Sequence, residues 1–338
     1  MRLYCGIDLH SNNVFMVVLD ESDRVVLRCR LPNDLAVILA TLEPHRAGLA
    51  GIVVESTFNW YWLVDGLMAA GHRVHLANPG AMQPYSGLKH ANDGSDARWL
   101  AHMLRIGLLP EGYIYPREQR GLRDLLRRRM RLTQQRTATV LSLQNLIWRS
   151  TGRRLSRRAL GKIEAAETLV LLGDSNVTLA VDATQAVVRC LDLEVDRLEK
   201  EVLRQLRRDP LFGLLKSVSG VGDILAPTIQ LETGEISRFA DAGHYVSYCR
   251  CVGSRHVSND KTKGHGNTKN GNPYLSWAWL EAATFAIRYH PAVRRYYERK
   301  KARTHRVVAL KTVAHKLARA GYYVMRDRVP FQIELAFG

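Results

Sequence analysis

The chain is short of several things that would place it elsewhere. None of its 338 residues fall in an apolar run of the roughly 18 residues a membrane span needs. The opening MRLYCGIDLH has no apolar stretch followed by a small-residue cleavage site, so the cytoplasm is the expected location. Cysteine is sparse. The five residues, Cys5, Cys29, Cys190, Cys249 and Cys251, are odd in number and too scattered for a disulfide framework, which excludes stapled secreted scaffolds. Cys249 and Cys251 form a C-x-C, but no second pair and no His pair follows at zinc-finger spacing, so reduced thiols are expected. Acids are outnumbered, 32 Asp+Glu against 49 Lys+Arg, for a formal charge of +17 and a pI near 9.9. A field of that sign attracts polyanions, and without a membrane-seeking amphipathic segment the expected polyanion is nucleic acid.

What is present is material for two or three domains, with 46% hydrophobic residues to build their cores. Residues 3–8, 14–19 and 24–31 are short, rich in aliphatic and β-branched side chains and separated by polar turns, the pattern of a strand meander. A helix is predicted over 33–46, a strand over 51–56, a helix around 58–71 and a strand over 73–78. An amphipathic helix starts near Asn92, with Ala97, Leu100, Ala101 and Leu104 on one face. The order βββαβαβα implies a mixed sheet with helices on its faces, an α/β domain over 1–115.

From Pro116 the pattern turns helical. The stretch REQRGLRDLLRRRMRL mixes Leu122, Leu125, Leu126 and Leu132 with many arginines, so that one face can pack while the other stays cationic. Val188, Leu191, Val195, Leu198 and Val202 alternate at three and four residues, a short coiled-coil seam that suits either a second chain or packing within this one. This Arg-rich helical region is assigned to 116–208. A mostly α-helical domain over 209–338 begins with a helix, a turn at Gly220 and Gly222, and another helix. It resembles the helix-hairpin-helix binders of backbone phosphate, whose glycines let the main chain approach a ligand. Residues 254–274, polar and rich in Gly, Asn and Lys, read as a long irregular segment.

The acids of the first domain carry the chemistry. Asp8 sits inside an apolar strand, where an unpartnered carboxylate costs several kcal/mol. Glu55 stands at the carboxyl end of the fourth strand, and Asp93 and Asp96, spaced i,i+3, share one face at the start of a helix. Taken singly, Asp93 and Asp96 suit a helix cap and dipole, and Glu55 an ordinary strand end. Together with Asp8 they suit a site for Mg²⁺, which takes oxygen ligands and can clamp a phosphodiester in pairs. Sugar kinases and actin-like ATPases also end a first strand in Asp. They need a following glycine and hydroxyl residue and a second phosphate loop, whereas here Leu9 and His10 follow and no such loop is found.

GIDLH, VVEST and NDGSDARWLAHML resemble the D, E, D, D pattern of the RNase H-like, RuvC-type domain of DEDD transposases from bacterial insertion sequences, the family numbered one-ten. LLKSVSGVGDILAPTIQLETGEISRFADAGHYVSYC and the polar stretch after it resemble that family's C-terminal transposase domain, closest to its eleven-eleven subgroup. The resemblance covers essentially the whole chain. It departs from the family's segment, approximately G-L-x-P, four residues, then Ser-Gly: Arg250 and Cys251 replace Gly-Leu, Gly253 the proline and Asn259 the glycine, while the serine falls on Ser258.

The resemblance implies an RNA-guided DNA recombinase acting at the bacterial nucleoid. A structured, element-encoded guide RNA (bridge RNA) pairs with donor and target DNA. Mg²⁺ is held by the acidic site, here Asp8, Glu55, Asp93 and Asp96. A serine, here Ser258, attacks a phosphodiester within a homo-oligomer, a dimer or tetramer, that joins acidic and serine domains of different subunits. Ser254 is the competing serine. Lys261, Lys263 and Lys269 are solvated charges or, beside a phosphate, screens for its oxygens. Asn267, Asn270, Gly271 and Asn272 supply turn geometry and backbone donors. Arg127, Arg128, Arg129 and Arg131 project around their helix, so not all meet one groove; the expectation is backbone contacts to RNA or the guide–target duplex. Two rivals remain: a Holliday-junction-resolvase-like, metal-dependent nuclease using water, for which Ser258→Ala still cuts, and a non-catalytic nucleic-acid-binding protein, for which Asp8→Asn changes nothing.

Overall fold

Alternation along β1 (Leu3–Leu9) decides the architecture of the first half of the chain. In the computed structural model, which describes residues 1–82, 93–160, 172–253, 256–258, 261–264 and 270–338, Leu3, Cys5, Ile7 and Leu9 face one way into an apolar core while Gly6 and Asp8 face the other. Ser254, Asn259, Asn267 and Lys269 lie outside the described residues. The chain divides into two compact units, Met1–Arg117 and Glu118–Gly338.

In the first unit β1 is the middle of a five-stranded sheet ordered β3-β2-β1-β4-β5, with β2 (Asn13–Leu19), β3 (Val25–Pro32), β4 (Leu49–Glu55) and β5 (Val74–Ala77). The three N-terminal strands run antiparallel and β1, β4 and β5 run parallel, the mixed sheet that the element order implied. Each strand lies within two residues of its predicted span. The helix predicted over 33–46 is shorter: α1 (Leu35–Leu42), capped by the Asp34 carboxylate, gives way to a 3₁₀ turn over Glu43–Gly48. Pro44 is the reason, since it lacks an N–H and its ring crowds the carbonyl four residues back. Helix α2 (Tyr61–Ala69) packs with α1 on one face of the sheet through Ile38, Leu42, Leu63 and Leu67.

Helix α3 (Asp93–Arg105) covers the other face, burying Ala97, Leu100 and Ala101 against Val17, Leu19, Val53 and Ala77. It lies very close. A Cβ on Gly6 would stand 2.0 Å from the Ala97 carbonyl oxygen, so glycine at this position lets the helix backbone rest on β1. The far half of α3 is clasped by the β2–β3 turn: Asp23 accepts from Arg98 Nη2 at 2.8 Å and Arg105 Nε at 3.1 Å, and lies 2.8 Å from His102 Nδ1. These basic partners hold the Asp23 carboxyl below the usual carboxylate range despite the opposing effect of burial.

The second unit opens on two long helices, α4 (Arg117–Thr151) and, after the short α5 (Arg157–Leu160), α6 (Ser175–Leu206). They are antiparallel partners. Arg129 pairs with Glu199 and Arg136 with Asp192, one heptad forward on α4 matching one heptad back on α6. The coiled-coil seam is therefore satisfied within the chain: Val188 packs with Val140, Leu143 and Ile147, and Val202 joins Leu126.

Helices α7 (Pro210–Lys216), α8 (Leu225–Thr233), α9 (Ala242–Tyr248), α10 (Pro273–Tyr289), α11 (Pro291–Lys301), α12 (Arg306–Asp327) and α13 (Ile333–Phe337) follow, packed around buried Trp279, Tyr245 and Leu317. The segment expected to be irregular holds a short antiparallel pair, β6 (His256–Ser258) and β7 (Lys261–Gly264). Val257 stands opposite Thr262 and Ser258 opposite Lys261 in its register. Among the described residues no helix is long and apolar enough to cross a membrane.

Candidate metal centre and nucleic-acid surface

The α3 face of the sheet brings four acids together. Gly6 and Ile7 of β1 stand beside Val53 and Val54 of parallel β4, so the next residues along, Asp8 and Glu55, leave adjacent strand ends on the same face. Asp8 is 4% exposed. The two side chains are hydrogen-bonded to each other, and the charges of Asp96 and, at Asp8, Asp93 act on them from the first turn of α3. Burial raises both carboxyl groups. The shared hydrogen bond then opposes the rise at Asp8 and adds to it at Glu55, which is pushed up to about 7.

Two residues not foreseen as part of the site complete its surroundings. His10 Nε2 lies 3.3 Å from Asp8 Oδ2 and 3.5 Å from Asp93 Oδ2, yet makes no hydrogen bond and is closed off from solvent. One ligand atom from each of Asp8, His10 and Asp93 falls within 4.8 Å of the others. Arg30 donates to Asp93 at 2.5 Å. Its place was readable from pairing: Asp8 lies opposite Phe15, and Phe15 opposite Arg30, so one cross-strand row carries all three. Among the described residues no lysine or arginine pairs with Asp8 or Glu55. Buried carboxylates that share a proton and lack a protein cation fit a hard divalent ion, because oxygen donors and unneutralised charge are what Mg²⁺ or Mn²⁺ takes.

The four arginines of α4 part company. Arg127 is bidentate to buried Glu232, at 2.6 and 2.7 Å, and lies over the Tyr274 ring at 4.6 Å. Arg129 donates to Glu199 at 2.7 Å. These two guanidinium groups have a structural role, each giving two of its five N–H donors and its charge to a carboxylate of the protein. Arg128 and Arg131 are exposed and make no ion pair among the described residues. A second cationic stretch escaped sequence reasoning. Arg294, Arg295, Arg299, Lys300, Lys301, Arg303 and Arg306 run along α11 and into α12, all exposed, with Glu298 the one acid among them. Its signal was plain in RRYYERKKARTHR, a basic run with aromatics set inside it.

Residues 5–149 match the model of DEDD transposases of the IS110 type, described as Transposase, and residues 213–298 match that of the Transposase IS116/IS110/IS902 family. The chain belongs to the IS110 family of insertion-sequence transposases. It is 24% identical over 292 residues to a "Probable family 20 transposase" of Pseudomonas aeruginosa, covering 84% of this chain and 83% of that protein. Over 294 residues it is 23% identical to the "Transposase for insertion sequence element IS1111A" of Coxiella burnetii, covering 84% and 78%. A Streptomyces coelicolor protein, "Insertion element IS110 uncharacterized 43.6 kDa protein", is 26% identical over 194 residues, 54% of this chain and 48% of its own. The family implies DNA substrates and a divalent metal for this transposase.

In the transposase's second unit, Ser258 ends β6 opposite Lys261. Lys261 and Lys263 are exposed. The root of this segment is tied: Arg250 Nε donates to the carbonyls of Asn270 and Gly271, and Asn272, buried, caps α10 while donating to Glu232 at 2.7 Å. Gly271, at φ +89°, passes so close to the Tyr248 carbonyl that a Cβ would stand 2.4 Å from it. Gly220 lies against protein too. The position of its missing Cβ is 2.0 Å from the Ala282 carbonyl of α10, so helix packing by itself explains the glycine that the sequence suggested was kept for a ligand. Gly222 has nothing within 4 Å.

Proposed function

We propose that this transposase is an RNA-guided DNA recombinase that cleaves and exchanges strands through Ser258 and a divalent-metal centre of Asp8, Glu55, Asp93 and Asp96, on an RNase H-like sheet. The observation that carries the reading is the Asp8–Glu55 pair at adjacent parallel strand ends, Asp8 buried and Glu55 half-buried, without a lysine or arginine partner among the described residues and flanked by two further acids. When bound there, a divalent ion supplies Lewis-acid stabilisation of the charge that builds on the reacting phosphate.

The chain's own residues do the rest. Asp8 and Glu55 give up their shared proton to become ligands. Arg30 holds Asp93 toward the cluster, and Asp23 with Gly6 fixes α3 on the sheet so that its first turn stays over Asp8. The Ser258 hydroxyl attacks phosphorus. A P–Oγ bond forms as the bond to the leaving sugar oxygen breaks, the serine proton passes to a base, and the leaving oxygen acquires a proton. The phosphoserine link retains the bond for the reverse attack by a new strand end, whereas attack by water would discard it.

Among the described residues Arg128, Arg131 and the basic row of α11 apart from Lys301, which pairs with Glu298, make no ion pair, and such charge suits a surface for the guide RNA and its DNA duplexes. The family resemblance supports both the guide RNA and a dimer or tetramer in which the acids of one subunit serve the serine of another. The test is to incubate the full chain, with the RNA that copurifies, with DNA bearing the element ends and Mg²⁺. The expected product is a covalent protein–DNA adduct absent from Ser258→Ala. Cleavage that survives Ser258→Ala without an adduct replaces this reading with a water-using nuclease.

A further inference from the structure

Resting on the reading of the acid cluster as a metal centre, we propose that His10 is a nitrogen ligand of that centre, and that it biases the site toward Mn²⁺ over Mg²⁺. Four acids already account for a Mg²⁺ site, and nothing in their spacing calls for an imidazole.

The backbone of His10 is held on both sides. Its N–H donates to the Asn13 carbonyl at 2.9 Å, and its own carbonyl accepts from Asn33 Nδ2 at 3.1 Å and Asn59 Nδ2 at 3.0 Å. Asn59 is steadied in turn by the Thr57 hydroxyl at 2.8 Å. Two side chains and one backbone carbonyl, from three separate segments, thus fix where the ring begins. That ring, 37% exposed as a side chain, delivers Nε2 to a point between Asp8 Oδ2 and Asp93 Oδ2, where the nitrogen itself is shielded from solvent and has hydrogen-bond geometry to neither.

A simple ion pair accounts poorly for this placement. If Nε2 carries a proton, a donor is buried unpaired beside two anionic acceptors, and a small rotation of the ring would satisfy it. If Nε2 carries a lone pair, that lone pair faces two carboxylate oxygens; Arg30 relieves the repulsion at Asp93 Oδ2 only, and a cation among the three donor atoms relieves it at Asp8 Oδ2 as well. The spacing of the three donors, all within 4.8 Å, suits such a cation.

Nitrogen changes what the site selects. Mg²⁺ takes oxygen and retains water, whereas divalent transition ions gain from an imidazole. Asp8 and Asp93 with His10 make a mixed donor set on which Mn²⁺ is favoured relative to an all-carboxylate centre.

The probe is Mn²⁺ itself, bound to the full chain and followed by pulsed electron paramagnetic resonance, with Mg²⁺ affinity read by competition. The expected spectrum shows modulation from a directly bound nitrogen, absent from His10→Gln, which binds Mn²⁺ about tenfold more weakly while its Mg²⁺ affinity changes far less. Bound Mn²⁺ without nitrogen modulation in the wild-type chain overturns the inference and leaves the carboxylate centre standing, a result that needs no variant to fold. An equal loss of both ions in His10→Gln overturns the selectivity. Failure of Mn²⁺ to bind at all removes the metal centre itself and the ligand with it.

Discussion

Glu232 in the helical unit and Asp8 in the sheet unit are equally buried, each 4% exposed, and the protein treats them in opposite ways. Glu232 receives a forked guanidinium from Arg127 and an amide N–H from Asn272. Asp8 receives Glu55, a second acid, with Asp93 and Asp96 close enough to add to the repulsion. The first arrangement is complete and ties α4, α8 and the start of α10 into one core. The second is incomplete by the same standard, and a folded chain tolerates it only where an external cation settles the charge or a proton does so in its absence. The arginines divide by this rule as well: Arg127 and Arg129 are paired with carboxylates, while Arg128 and Arg131 make no ion pair among the described residues.

The sharpest way to break the contrast is Asp8→Asn. Expected is loss of the rise in melting temperature that divalent ions give the wild-type chain, together with a drop of at least about a hundredfold in DNA cleavage, while the metal-free melting temperature holds or rises because a repulsive pair has become an amide–carboxyl pair. A lower metal-free melting temperature with the metal response intact would put Asp8 in the class of Glu232.

Arg127→Ala tests the other side. It leaves the Glu232 carboxylate buried without its cation, a defect costing about 3 kcal/mol by urea unfolding, with the divalent response of the sheet unit unchanged. A loss well under 1 kcal/mol would show that Glu232 too can do without its partner.

Acidity gives a subtler handle. Because the folded state holds the Glu55 proton more tightly than the unfolded chain does, metal-free stability falls as pH rises from 4.5, the ordinary glutamate value, to about 7, and levels off above. Over the same interval divalent affinity rises, since binding must displace that proton. Thermal melts and titration calorimetry across this range check both slopes, and Glu55→Gln should flatten the first.

Smallest are the effects at exposed arginines. Arg128→Ala and Arg131→Ala should change stability by less than about 0.5 kcal/mol and lower the salt slope of RNA binding, by up to about 0.9 for each phosphate contact removed. Arg129→Ala should do the reverse, costing stability and leaving the slope alone.

Much of the sheet unit was legible because its signals are local. Short aliphatic and β-branched runs bounded by polar turns located all five strands, and the cross-strand row from Asp8 through Phe15 leads on to Arg30. His10 lay in plain view two residues after Asp8, but only the position of Nε2 between two carboxylates separates it from an ordinary turn histidine. In the helical unit less could be read. Four arginines within five positions look alike on a helical wheel, and nothing near them in the chain announces that Glu232, some hundred residues away, claims one and Glu199 another. Gly220 shows the same blindness, for a turn glycine kept for a ligand and one kept for the Ala282 carbonyl have the same local sequence.

Composition and periodicity by themselves established a cationic, nucleic-acid-directed chain with a mixed sheet, an acid embedded in its first strand and long helices beyond, because charge totals and the two- and 3.6-residue periods belong to neighbouring residues. Tertiary structure alone decided which of those charges the protein neutralises. Desolvation and ion pairing act across a few ångströms of space between groups far apart along the chain, and only the folded packing sets those distances.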